Sequence, residues 1–307
     1  MTGVQTCALP ILFFSGTDCS VAASKLRRGC IFNERLALDN RPIGFFDSGI
    51  GGLTGVMHVM RMIPDESTIF FGDTARTPYG SKSPKTIRQF SMQIADFLMS
   101  KNVKMIVTAC NTVSANALED LRFHFPQIPV IGCISPTARE IVKCCSPADR
   151  IGIMATRATV KSNVYADKIK SLAPELATYQ IACPALVPLI EESIIENDIM
   201  DLTLRYYLDD FIRDNRINKM VLGCTHYPLV LANLKRLYPQ MTFYSSSHEL
   251  ATAVGMELDK YGIKAENEFP QHVFYASDLS EGFATMIENL TLGTDDNADV
   301  EFMNLDI

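Results

Sequence analysis

Two cysteines of the chain stand in matching sequence contexts. Cys110 ends the apolar segment KMIVTAC and Cys224 ends KMVLGC, and polar residues follow each of them. Both segments have the pattern of a buried strand that ends where a helix begins. The partial positive charge of a helix N-terminus favours thiolate and can lower a cysteine pKa from its ordinary value of about 8.5. Two such thiols on opposite faces of a Cα–H bond could remove a proton from one face and return one to the other, which predicts cofactor-independent inversion of a carbon centre.

The two segments belong to longer units that resemble each other. One runs from KMIVTACNT through a helical pattern to HFPQIPVIG, and the other from KMVLGCTH through a helical pattern to LYPQMTFYS. Strands that end in small residues are common in α/β proteins, but that fold does not require the repeated Pro-Gln. We interpret the repeat as a duplication that brings Cys110 and Cys224 to one cleft.

A third strand-like segment, IGFFDSGIGG, ends in Asp47 and Ser48 and enters a glycine-containing loop. The glycines permit close backbone approach to a ligand, but they form no G-x-G-x-x-G fingerprint and no Walker lysine follows, so nucleotide binding is weakly supported. Asp47 could bind a substrate ammonium or assist Cys110. Taken alone, Asp47 is better interpreted as part of an Asx turn or as a helix cap.

Further candidates lie in loops and at helix starts. Tyr79 and Gly80, in TARTPYGSKSP, could contact a substrate or form a turn. Glu191 and Glu192 follow an apolar run, and the sequence does not decide which of them faces the cleft. His226 comes two residues after Cys224, where an imidazole can exchange protons near neutral pH.

A metal site is the competing interpretation of this region. Cys224 and His226 could both bind zinc, but the closely spaced Cys or His pairs of zinc sites are missing. We therefore expect no metal. Four other cysteines are interpreted as small buried hydrophobic residues: Cys133, Cys144, Cys145 and Cys183. Four histidines are expected at the surface or in structural hydrogen bonds: His58, His124, His248 and His272.

Composition limits the classes of protein to which the chain can belong. A net charge of -7 argues against a general binder of nucleic acid or anionic membranes, and favours a small-molecule partner. The nine cysteines show no regular spacing, which predicts a reducing, cytoplasmic location. No apolar run reaches the length of about 18 residues that a membrane span needs.

Strand and helix patterns alternate from Pro42 onward, which predicts an α/β fold with parallel sheets flanked by helices. Seven segments are predicted as buried strands: PIGFFDS, STIFFGD, VKMIVTAC, IPVIGCI, RIGIMAT, NKMVLGC and MTFYSS. Helices are predicted from Pro84 to Ser100 and in SANALEDLRFHF and LVLANLKRLY. We expect two pseudo-symmetric domains with the active site in the cleft between them. The opening MTGVQTCALPI resembles the translation of a sequencing-library adapter, so the leading segment is excluded from fold reasoning. The predicted divisions are an extension at 1–42, a first domain at 43–134 plus 244–290, a second at 135–243 and an acidic tail at 291–307.

Together, Asp47-Ser48-Gly49, Tyr79-Gly80, Cys110-Asn111-Thr112, Cys224-Thr225-His226 and CPALVPLIEES resemble the signature segments of glutamate racemase, in the aspartate/glutamate racemase superfamily. The resemblance covers residues 43 to about 280. It implies that Cys110 and Cys224 are the acid/base residues, supported by Asp47, His226 and an acidic residue matching Glu191. It also implies a set of substrate-binding residues: Asp47, Ser48, Tyr79, Gly80, Asn111, Thr112, Thr225 and His226.

The activity implied by the resemblance is interconversion of L- and D-glutamate, which supplies D-glutamate for peptidoglycan. The alternatives are an aspartate racemase or related isomerase, or a non-catalytic small-molecule-binding regulator whose cysteines sense redox state. The sequence leaves open whether the protein is a monomer or a homodimer.

Overall fold

The computed structural model describes residues 38–278 and the backbone of residues 298–302. Within these ranges there are ten strands: β1 Ile43–Asp47, β2 Thr68–Gly72, β3 Met105–Thr108, β4 Val130–Gly132, β5 Arg150–Ala155, β6 Ala177–Ala182, β7 Lys219–Gly223, β8 Thr242–Ser245, β9 His272–Ala276 and β10 Ala298–Phe302. The same ranges contain eleven α-helices: α1 Leu53–Met62, α2 Pro84–Ser100, α3 Asn111–Asn116, α4 Leu118–His124, α5 Ile134–Cys144, α6 Arg157–Ser162, α7 Val164–Leu172, α8 Leu186–Glu191, α9 Asp198–Asn215, α10 Leu231–Leu237 and α11 Ser246–Tyr261.

The strands form two sheets in which every pairing is parallel. The first sheet has the order β10-β9-β2-β1-β3-β4, and the second has the order β6-β5-β7-β8. Helices connect successive strands from β1 to β9, as parallel pairing requires. The predicted α/β fold with parallel sheets is confirmed. The domain boundaries assigned from the sequence remain a prediction.

Strand β1 shows why these segments read as uninterrupted apolar runs. All five of its residues are buried. Ile43 and Phe45 join one hydrophobic cluster, whereas Phe46 joins another. Because successive side chains of a strand point to opposite faces, a sheet covered by helices on both faces buries every position.

Seven strands expected from the sequence are present, and so is the predicted helix from Pro84 to Ser100. Ser83 caps that helix, since its Oγ accepts a hydrogen bond from the Thr86 amide at 3.2 Å. The single helix expected in SANALEDLRFHF is instead divided at Ala117, whose backbone leaves helical geometry between α3 and α4.

The ends of the chain fall largely beyond what the structure describes. Residues 1–37, 279–297 and 303–307 lie outside the described ranges, and with them most of the predicted extension and part of the predicted tail. Within that tail, β10 pairs in parallel with β9 at the edge of the first sheet.

A buried ion pair joins distant segments at the base of the first sheet. Lys104 Nζ lies 2.6 Å from Glu66 Oε2, and both side chains are almost fully inaccessible to solvent. The ammonium also donates to the carbonyl oxygens of Asp39 and Ile263, and Glu66 Oε1 accepts a hydrogen bond from the Ala265 amide. These bonds offset the cost of burying two charges.

The chain leaves the second sheet through α11, which packs against α1 and α5. Ser247 Oγ at the start of α11 lies 2.9 Å from Thr54 Oγ1 of α1. Gly262 ends α11 with a left-handed backbone (φ 64°), a conformation in which glycine carries no Cβ penalty. No helix in the part of the chain that the structure describes is long and apolar enough to cross a membrane.

Candidate active site

A small cavity lies where loops following strands of both sheets meet. Its lining is mostly neutral and polar, and both cysteines singled out above contribute to it: Ser48, Pro78, Tyr79, Gly80, Cys110, Asn111, Thr112, Thr156, Val187, Cys224, Thr225 and His226. The volume open to the centre of a water molecule is only about 10 Å³, room for roughly one water. An amino acid can therefore enter only if the walls move apart.

Cys110 lies at the N-cap of α3, as expected for a strand that leads into a helix. Its Sγ is 3.5 Å from Ser48 Oγ, and the residue is only 3% exposed. Burial raises the pKa of the Cys110 thiol well above its ordinary value, and the nearby Asp47 charge adds to this, whereas hydrogen bonds with Ser48 and the Val113 amide oppose it. The expectation of a lowered pKa is wrong for Cys110, because desolvation outweighs the field of a six-residue helix.

Cys224 follows β7 and lies beside an imidazole. Its Sγ is 3.8 Å from His226 Nδ1, and His226 Nε2 is 3.0 Å from Glu191 Oε1. Burial lowers the pKa of His226, but hydrogen bonds to Cys224 and Glu191 and the charges of Cys224 and Asp47 outweigh burial and raise this pKa to about 10. His226 is therefore a buried cation at neutral pH, held between a sulfur and a carboxylate.

The structure distinguishes the two adjacent glutamates. Glu191 Oε1 bonds His226 and also accepts a hydrogen bond from Thr77 Oγ1 at 3.2 Å. Glu192 is the C-cap residue that follows helix α8, and it is exposed. A Cβ at Gly49 would come within 2.9 Å of Glu191 Oε1, so the absence of a side chain there lets this carboxylate reach the imidazole.

Asp47 connects the loops from the two sheets. Its fully buried carboxylate accepts hydrogen bonds from the amides of Ser48 at 2.8 Å and Gly52 at 2.6 Å, and from Thr225 Oγ1 at 3.0 Å. The first two bonds are those of a turn and of a helix start, the structural alternative raised from the sequence. The third bond comes from Thr225, the residue after Cys224, so Asp47 links the loop after β1 to the loop that carries Cys224.

Tyr79 and Gly80 line the cavity in different ways. The Tyr79 hydroxyl donates to the Asp73 carboxylate, and burial together with that carboxylate raises the pKa of Tyr79. The proton of this hydroxyl is therefore already used in a hydrogen bond to Asp73. A Cβ at Gly80 would lie 2.5 Å from Thr156 Cβ, which shows how closely the two walls approach.

Asn111 and Thr112, both expected from the sequence, bond polar residues that were not predicted: Thr156, Thr159, Tyr165 and Ser246. Thr112 Oγ1 lies 2.9 Å from Thr156 Oγ1 and 3.4 Å from Thr159 Oγ1. Asn111 bonds both Tyr165 and Ser246. Thr156 was detectable, because it directly follows β5 just as polar residues follow β3 and β7. Ser246 was detectable in the same way, because it directly follows β8, whereas Tyr165 lies within helix α7 and carried no comparable signal.

The four other cysteines in the described part of the chain divide into two groups. Cys133 and Cys183 are fully buried, as expected. The same interpretation is wrong for Cys144, which is exposed and bonds Glu140, and for Cys145, which is half-buried, because both lie on the outer surface at the end of α5.

The other histidines are engaged structurally or lie at the surface. His58 Nδ1 lies 2.6 Å from the Thr54 carbonyl oxygen, His272 Nδ1 lies 2.9 Å from Thr68 Oγ1, and His124 and His248 are exposed. Within the described residues 38–278, no three or more His, Cys, Asp or Glu side chains are grouped so that they could hold a metal ion.

Comparison with known proteins gives a consistent result. The model of the Asp/Glu/hydantoin racemase family matches residues 56–254. The chain is 40% identical over 246 residues to a glutamate racemase of Geobacter metallireducens, covering 79% of this chain and 90% of that protein.

Solved structures are similar over nearly their whole length. The crystal structure of glutamate racemase from Francisella tularensis in complex with D-glutamate superposes with a TM-score of 0.80 at 36% identity, covering 88% of this chain and 99% of that one. Escherichia coli glutamate racemase, in complex with L-glutamate and the activator UDP-MurNAc-ala, gives a TM-score of 0.70 at 26% identity, covering 86% and 98%.

Proposed function

We propose that this chain, which belongs to the Asp/Glu/hydantoin racemase family and is an amino-acid racemase, interconverts L- and D-glutamate without a cofactor. One observation carries the proposal: the thiols of Cys110 and Cys224 line the same small cavity. A racemase needs one acid/base group on each side of the substrate Cα, and two thiols meet that need. Glutamate is proposed as substrate because the similar racemases are named for it and one of them binds D-glutamate.

The two thiols have different surroundings, and this supports complementary roles. In one direction Cys224, assisted by the cationic His226, removes the Cα proton. The Cys110 thiol, whose pKa is raised by burial, retains its proton and can donate it to the opposite face. After this step the protonation states of the two sulfurs are exchanged, which prepares the site for the reverse reaction. Asp47 and Glu191 are proposed to support Cys110 and His226 respectively.

In a reaction without a cofactor, the negative charge that develops on the substrate must be stabilised by hydrogen-bond donors. Asn111, Thr112 and Thr225 line the cavity and carry donors. Ser48 and the Tyr79-Gly80 segment complete the proposed binding set. The small cavity also excludes water that would compete for the proton. We further propose that the D-glutamate is made in the cytoplasm and supplies peptidoglycan synthesis.

The direct test is incubation of the purified protein with L-glutamate in deuterated water with no added cofactor. The expected result is D-glutamate carrying deuterium at Cα, measured by chiral chromatography and NMR. If neither D-glutamate nor α-deuterium forms, the proposed function is wrong.

The two-thiol mechanism has its own test. Cys110→Ala and Cys224→Ala should each lower turnover by about 10²–10⁴-fold, because each removes an acid/base group, while circular dichroism stays unchanged. Cys145→Ala is the control, since Cys145 is half-buried and outside the cavity lining. Wild-type turnover in either alanine variant of the pair would rule out a two-thiol mechanism.

A further inference from the structure

The Asn111 side chain is held at both ends of its amide. The Tyr165 hydroxyl donates to Asn111 Oδ1 at 2.6 Å, and Asn111 Nδ2 donates to Ser246 Oγ at 3.1 Å. All three residues are almost completely buried. One of the two hydrogens on Nδ2 is used by Ser246, which leaves the other for a further acceptor. Asn111 lines the cavity, so that acceptor can be a substrate.

An amide needs such restraint because its two ends have nearly the same shape and opposite polarity. With Nδ2 towards the cavity, Asn111 donates to an anionic group, and with Oδ1 there it would repel the same group. Tyr165 decides between these orientations only if its hydroxyl acts as a donor. Burial raises the pKa of Tyr165 well above its ordinary value, which favours the protonated hydroxyl that can donate to Asn111 Oδ1.

We propose that Tyr165 is a positioning residue for the reaction: with Ser246, it fixes the Asn111 amide so that its free N–H faces the substrate. This inference rests on the proposed racemase function. Tyr165 does not line the cavity, and it acts through Asn111. In the transition state the carboxylate of a deprotonated amino acid carries more negative charge than in the ground state, so a correctly oriented donor stabilises the transition state more.

The three residues come from different parts of the fold. Asn111 begins α3 after strand β3 of the first sheet, Tyr165 lies on α7 after strand β5 of the second, and Ser246 begins α11 after strand β8 of the second. The amide is therefore fixed only when elements from both sheets are together. A separation that admits substrate would release Asn111, and closure would orient it again.

The test is steady-state racemisation by Tyr165→Phe, which removes only the hydroxyl. We expect kcat to fall by about 10-fold or more with KM changed by less than about 3-fold, since the lost interaction is stronger in the transition state. The same substitution in an Asn111→Ala background should change kcat by less than about 2-fold, because no amide remains to be positioned. An equal fall of kcat in both backgrounds, or an unchanged kcat in Tyr165→Phe alone, would overturn the proposal.

Tyr227→Phe is the matched control for loss of a buried hydroxyl, because Tyr227 is also fully buried and donates to a carbonyl, that of Cys183, at 3.1 Å. Both substitutions should lower Tm by a similar amount, but only Tyr165→Phe should lower kcat. An equal fall of kcat in both variants would show that the Tyr165 hydroxyl has a merely structural role. If Tyr165→Phe does not fold, Ser246→Ala decides: a lowered kcat supports the proposal and wild-type kcat overturns it. A wild-type protein that fails to racemise in this assay would instead refute the proposed function.

Discussion

The charge state of His226 leads to a specific prediction about Glu191. Glu191→Gln keeps an acceptor oxygen for His226 Nε2, which now lies 3.0 Å from the carboxylate, but removes the negative charge. Loss of that charge destabilises the imidazolium, so the pKa of His226 should fall from its value of about 10. The charged imidazole stabilises the folded protein fully below its ordinary pKa of 6.5, and this contribution is lost as pH rises through about 10. In the variant the loss should come at lower pH.

The size of the shift follows from the burial of the pair. The His226 side chain is 2% exposed and that of Glu191 is 21% exposed, so solvent screens their interaction only in part. An adjacent opposite charge typically moves a pKa by about 1–3 units, and His226 retains its bond to Cys224. We therefore expect a fall of about 1–2 pH units, which corresponds to about 1.4–2.7 kcal/mol.

The assay is an NMR titration of the histidine side chains, combined with the pH dependence of kcat/KM. The resonance of His226 should titrate at lower pH in Glu191→Gln, and the alkaline limb of the rate profile should move with it. Glu192→Gln is the matched control, because Glu192 is the neighbouring exposed carboxylate. Identical titration curves for wild type and Glu191→Gln would refute the argument that this carboxylate maintains the cation.

Two further predictions concern packing and buried charge, both measured by urea unfolding. Gly80→Ala should lower the free energy of unfolding by about 1–3 kcal/mol, because the new Cβ would lie 2.5 Å from Thr156 Cβ. Gly55→Ala, inside helix α1, should raise the free energy of unfolding by about 0.5–1 kcal/mol, because the nearest atom would be 3.5 Å away. Equal effects of the two substitutions would contradict this argument. Lys104→Met should lower the free energy of unfolding by about 3–5 kcal/mol, because it leaves the Glu66 carboxylate buried and unpaired. The double variant Lys104→Met/Glu66→Leu should recover part of that loss. If it recovers none, the unpaired charge is not the cause.

Sequence patterns predicted the strands that are buried on both faces. Strand β1 and its neighbours are short apolar runs bounded by polar loops, a signal that one sequence carries by itself. Strand β6 was missed because its residues are only partly buried and include Thr178 and Gln180. The break at Ala117 was missed because the apolar spacing continues across it, and only the backbone departs from a helix.

The candidate site was predictable where chemistry and position coincide. Cys110 and Cys224 follow strands, and in a parallel sheet those ends face the ligand. Tyr165 lies within a helix, and its contact with Asn111 depends on how two sheets approach each other, which no local pattern encodes. The direction of the Cys110 pKa was also out of reach, because it depends on burial rather than on the helix that follows.

The unequal surroundings of the two thiols have a thermodynamic consequence for the proposed reaction. Cys110 lies beside Ser48, and Cys224 lies beside the cationic His226. This difference permits the two enantiomers to have different kcat and different KM. Enantiomers in water have equal free energy, however, so the equilibrium constant is one and kcat/KM must be the same in both directions. An asymmetric site can therefore decide which form is held more tightly and released more slowly, but not which form accumulates, so net flow towards one enantiomer depends on its removal by a later reaction.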